Sequence, residues 1–153
     1  MNDVRKTIGW AEKTWNPIKG LCPVACPYCY ARKMYKRFKR PGKLTLDYKE
    51  LHTPANYEGP GRIFVCSTME IFHPDIPKFW RDEIFNIINA LSSLTFIILT
   101  KMPERIDRPM PPNAWLGVTV EGPEQWHRAK NLAIYHEAAV KFISFEPMLG
   151  SPE

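Results

Sequence analysis

Three cysteines fall within eight residues, Cys22, Cys26 and Cys29, in the segment CPVACPYCY. Their spacing is C-x3-C-x2-C, and Tyr28 stands directly before the third. Cysteines crowded this closely in an intracellular chain point to metal or redox chemistry rather than to disulfides. Three thiolates can hold three irons of a 4Fe-4S cubane, which leaves the fourth iron open to a small molecule. The same thiolates can also contribute to a structural zinc site, with Cys66 or a histidine as fourth ligand. Cys66 itself lies inside an apolar run, where a small core residue is expected.

A second set of chemically capable residues follows short apolar runs. RIFVCS (62–67), FIILTK (96–101), WLGVTVE (115–121) and KFISFE (141–146) each have strand character. At or just after their ends stand Ser67, Thr68 and Glu70, then Thr100 and Lys101, Thr119 and Glu121, and Ser144 and Glu146. In parallel α/β folds ligands bind beyond the carboxyl ends of the strands, so these are the candidate contacts.

The elements that must position them can be read from periodicity. Trp80, Ile84, Ile87, Ile88 and Leu91 lie on one helical face, with Pro77 near the start. Residues 124–135 predict another helix, residues 103–106 a short one, and residues 30–39 a helix after the cysteine loop, with Ala31, Met34, Tyr35 and Phe38 as its buried face. Residues 14–17 predict a first strand. Near-continuous Val, Ile, Leu and Phe runs alternating with helices indicate a parallel sheet covered by helices. The expectation is one α/β domain over 1–153, an open, partial parallel βα barrel of about five units. A closed eight-unit barrel typically needs about 250 residues. KFISFE reads as a fully buried strand with only seven residues after it. That is fewer than the dozen or so that a further parallel crossover requires, so the chain reads as C-terminally truncated and prone to self-association through its last strand.

The whole sequence carries a net charge of +5. Between Arg32 and Lys43 there are seven basic residues and no acidic ones, so the rest of the chain is slightly acidic. This segment is a candidate nucleic-acid contact, or else a solvated rim. The start, MNDVRKTIGWAEKTW, is charged and shows no secretory h-region, and no continuous apolar span suits a membrane, so a cytoplasmic protein is expected. No Gly-rich dinucleotide fingerprint or P-loop occurs.

The cysteine spacing with an aromatic residue before the last cysteine resembles the signature of the radical S-adenosylmethionine (SAM) superfamily. TWNPIKG, CPYCYARKM, RIFVCSTMEIFHPDIP, LTKMPERI, WLGVTVE and FISFEPMLG resemble, in order, the blocks of a phage-associated, radical-SAM-like family of unknown function. The resemblance implies a 4Fe-4S cluster on Cys22, Cys26 and Cys29 that binds SAM and cleaves it reductively to a 5′-deoxyadenosyl radical acting on an unassigned substrate. It implies a low-potential electron donor of flavodoxin or ferredoxin type, and Tyr28 beside the adenine or the cluster. SAM contacts are then expected from Ser67, Thr68, Glu70, Thr119, Glu121, Ser144 and Glu146. The place where the superfamily meets the SAM amino group reads STME here, without glycines, which leaves Glu70 as the amino partner. The reading from another class is a zinc-stabilised, non-catalytic nucleic-acid-binding module.

Overall fold

A computed structural model describes residues 1–149, with the backbone alone for Tyr135. The strands are β1 (Asn2–Asp3), β2 (Lys13–Trp15), β3 (Ile18–Lys19), β4 (Thr45–Leu46), β5 (Arg62–Val65), β6 (Thr95–Thr100), β7 (Ala114–Thr119) and β8 (Val140–Ser144). The helices are α1 (Tyr30–Arg37), α2 (Tyr48–Leu51), α3 (Lys78–Ala90) and α4 (Trp126–Tyr135). The main sheet runs β1-β2-β5-β6-β7-β8, with β1 antiparallel to β2 and every later pairing parallel. The last five strands of that order follow the chain without reversal. No doubly wound switch point arises, and among the described residues no barrel closes.

Alternation along the strands separates two faces. Trp15, Val65, Ile98 and Leu116 share one row by register, and they pack with Ile84, Phe85 and Ile88 of α3 in the buried core. On the opposite face Thr14, Phe64, Ile97, Trp115 and Val140 share a row. The Trp10 ring covers part of it, 4.8 Å from Phe64 and 6.3 Å from Phe142. Phe142 in turn lies over Gly117, where any Cβ would overlap its ring. The end of α3 is held by Asn113, whose Nδ2 donates to the carbonyls of Ile88 (2.9 Å), Leu91 (3.1 Å) and Leu94 (3.1 Å). The Ile88 and Leu91 carbonyls also accept the N–H groups of Leu91 (3.3 Å) and Leu94 (3.1 Å), so Asn113 adds a second donor to each and serves the Leu94 carbonyl as well.

Two expectations are corrected. KFISFE is not fully buried: among the described residues β8 is the edge of the sheet with no strand beyond it, and Val140 and Ile143 stay 37% and 38% exposed. The apolar face of α1 is also narrower than expected. Ala31 is buried, but Met34 and Phe38 are exposed, since α1 lies against the loop at residues 20–22 rather than across the sheet. Among the described residues no helix is long and apolar enough to cross a membrane.

Asn113→Ala should lower stability by about 1–2 kcal/mol, because three carbonyls lose their common donor. Urea unfolding should show a lower midpoint with an unchanged slope; an unchanged midpoint would mean that water serves the helix end equally well.

Candidate functional site

The cysteine loop is built on a glycine. Gly20 has φ of +113°, and a side chain there would run into the Lys43 carbonyl. Its N–H donates to the Tyr35 hydroxyl (2.9 Å), and the next amide, Leu21 N–H, donates to the Gly42 carbonyl (2.9 Å). Two turns follow, Ala25 N–H to Cys22 O (3.3 Å) and Cys29 N–H to Cys26 O (3.1 Å). Cys29 is the N-cap of α1 but makes no side-chain cap bond. All three loop cysteines are half-buried.

The loop sits on the carboxyl ends of β5, β6 and β7. Cys22 Sγ accepts the Glu70 N–H at 3.4 Å. The Glu70 carboxylate points the other way and is buried, accepting from Thr100 Oγ1 (2.7 Å), Lys101 N–H (2.7 Å) and Phe72 N–H (3.2 Å). Burial pushes its carboxyl above the ordinary range, only partly offset by those bonds. Ser67 and Thr68 are tied to Asn16, whose Oδ1 accepts from Ser67 Oγ (3.2 Å), Thr68 N–H (3.3 Å) and Thr68 Oγ1 (3.3 Å). The turn that sends the chain there passes through Cys66 at φ of +52°, an uncommon conformation for a side-chain-bearing residue.

Glu121 is the second meeting point. It accepts from the Tyr28 hydroxyl, from Lys101 Nζ and from Arg128 Nη1, the last at 2.6 Å. Lys101 Nζ also donates to the Tyr28 hydroxyl (2.7 Å), and Arg128 Nη1 to the Thr119 carbonyl (2.8 Å). Burial pulls the Glu121 carboxyl upward, but the bonds from Lys101 and Tyr28 and the charges of Lys101 and Arg128 outweigh it and hold it below its ordinary value. Tyr28 is driven strongly upward, by burial and then by Glu121. Its hydroxyl keeps its proton at neutral pH.

The structure thus joins Tyr28, Glu70, Glu121 and the cysteine loop, with Ser67 and Thr68 on the adjoining turn and Thr119 buried at the end of β7. Ser144 and Glu146 lie apart from this cluster, in the wall of a groove of about 410 Å³ with Trp10, Trp115 and Phe142. Arg128 and Asn16 escaped the sequence reading. Arg128 carries no motif, yet it lies seven residues after Glu121, one helical entry away; Asn16 sits inside TWNP, at the end of the expected first strand, and nothing in its sequence context marks what its side chain holds.

Cys66 is buried in the core, and burial with the nearby Glu70 charge pushes its thiol up to about 12, as suits a packing residue. Among the described residues no three Cys, His, Asp or Glu side chains converge as ligands of one ion do.

A family model described as Protein of unknown function (DUF5131) matches residues 5–152. The chain belongs to this family. The match corrects the radical SAM superfamily assignment, since the family that spans the quoted blocks is DUF5131 and no radical SAM family matches. The physical reason is that a three-cysteine spacing is short and transferable, whereas family membership is decided over the whole chain. No curated protein and no solved structure matches this DUF5131 chain.

The depressed Glu121 carboxyl stabilises the fold fully above its unfolded-state pKa, and that contribution is lost as pH falls through the folded value. Lys101→Met removes a pairing partner and lets the carboxyl rise, so acid unfolding followed by circular dichroism should begin at higher pH than in the wild type. Coincident acid transitions would show that Lys101 does not govern the charge of Glu121.

Proposed function

We propose that the chain holds a 4Fe-4S cluster on Cys22, Cys26 and Cys29 and uses it to cleave SAM reductively. The observation that carries this reading is the seat of the three-thiol loop on the carboxyl ends of three parallel strands, with the Glu70 amide aimed at Cys22 Sγ. The donor set fits such a cluster. Three half-buried thiols stand in one loop, each free to take its own iron, and the fourth cysteine is withdrawn into the core. Ligands on separate irons need not converge on one point, as zinc ligands must.

A cluster held by Cys22, Cys26 and Cys29 would supply the one electron that reductive cleavage of SAM to methionine and a 5′-deoxyadenosyl radical requires. The electron comes from a low-potential flavodoxin- or ferredoxin-type donor. The protein's share is orientation and exclusion of water. The Glu70 N–H donates to a ligating sulfur, a contact that tunes the potential of iron-sulfur centres. Glu70 keeps its carboxylate for the Lys101 amide, so it fixes the loop's floor and leaves the SAM amino group to other acceptors. Lys101 spends two of its three ammonium hydrogens on Tyr28 and Glu121, and the third is available to a carboxylate. Tyr28 walls the same space. The uninterrupted strand order supports an open partial barrel whose second face, with Thr119 and Ser144 in register, would carry the adenosine side. The outer edge of β8, with Val140 and Ile143 exposed, supports self-association of two chains.

Anaerobic reconstitution with iron and sulfide, followed by SAM and a strong reductant, should yield 5′-deoxyadenosine. Alanine at Cys22, Cys26 or Cys29 should abolish both iron retention and product, whereas Cys66→Ala should keep both. Wild-type iron content in any loop variant, or zinc retained in preference to iron, would overturn the assignment.

A further inference from the structure

Beside the cysteine loop, α1 and Leu21 enclose a groove of about 530 Å³. Five cations line it, Arg32, Lys33, Lys36, Lys39 and Arg40, together with Tyr35. Among the described residues none of the five is in an ion pair. A row of cations that the protein itself leaves without counter-charge is costly to hold together, and an anion that follows the groove relieves it.

An aromatic ring stands beside the groove. Phe38, the C-cap residue of α1, is 56% exposed, an unusual exposure for a large ring. The guanidinium groups of Arg37 and Arg40 each lie 5.5 Å from the Phe38 ring centre, and that of Arg40 lies 6.0 Å from Tyr35. Arg32 connects the groove to the loop, with Nη2 donating to the Cys22 carbonyl at 2.9 Å. Its Nε is buried and has no partner among the described residues.

We propose that this groove binds single-stranded nucleic acid, with phosphates along the cations and a base stacked on Phe38, directly beside the cysteine loop. A concave cationic track with an exposed ring is how single strands are held without sequence preference. A duplex keeps its bases stacked on one another and leaves the ring unused. A membrane surface presents a plane, which a concave groove on an eight-residue helix does not match. The binding rests on α1 alone and not on the cluster reading.

The test is fluorescence anisotropy of the full chain with a labelled single-stranded oligonucleotide, the matching duplex, and vesicles rich in anionic lipid. With up to five phosphates neutralised, single-strand affinity should fall roughly 100-fold between 50 and 200 mM salt. Lys36→Glu with Arg40→Glu should weaken binding at least about 10-fold and flatten that salt dependence. Phe38→Ala should weaken it about 10-fold with the salt dependence unchanged, which charge attraction alone would not produce. These side chains are exposed, and the wild-type salt dependence needs no variant. No binding at 50 mM salt, tighter binding to duplex or vesicles, or a Phe38→Ala variant equal to wild type would each overturn the proposal. Loss of iron with binding retained would strike the cluster reading and leave this one standing.

Discussion

The carboxylate of Glu121 ties together pieces of chain that are far apart in sequence. Tyr28 comes from the cysteine loop, Lys101 from the end of β6 and Arg128 from α4, and all three meet it. Glu121 is buried, and a buried charge is tolerable only when it is paired and hydrogen-bonded. The cost of leaving it alone therefore falls on any movement of the loop away from the strand ends. Such an arrangement says little about net stability, since desolvation consumes much of the attraction. What it supplies is a defined place for the cysteines.

Glu70 acts in parallel with this tether. Its carboxylate fastens β5 to β6 through Thr100 and the Lys101 amide, and its own amide reaches Cys22. The position of Lys101 is thus set twice, by its backbone through Glu70 and by its side chain through Glu121. The left-handed turn at Cys66 and the Asn16 contacts to Ser67 and Thr68 bring Glu70 to that spot. Strain in a backbone is kept where surrounding contacts over-determine it, and this turn is surrounded by core on one side and by Asn16 on the other.

The five parallel strands and α3 were legible because runs of buried β-branched and aromatic residues, and a 3.6-residue period, have few alternative readings. The convergence of Glu70 and Glu121 near the cysteines was legible at the level of strand ends, but not in its division of labour. Whether a carboxylate faces a ligand or fastens the protein depends on donors such as Lys101 N–H, which sequence does not position. Arg128 and Asn16 were invisible for the same reason, being recognised only by what they touch. The exposure of β8 and of Phe38 ran against composition, because apolar runs report a preference for burial and the topology decides whether cover exists. The cysteine motif is present as three free, half-buried thiols in one loop, while the superfamily drawn from it gave way to the family that spans the chain.

Mössbauer spectroscopy of the anaerobically reconstituted full chain, recorded with and without SAM, tests the central claim most directly. Three thiolates for four irons predict one iron that differs from the others and whose signal alone changes when SAM is added. Four irons that do not respond to SAM, or a preparation that holds zinc and no cluster, would contradict the account.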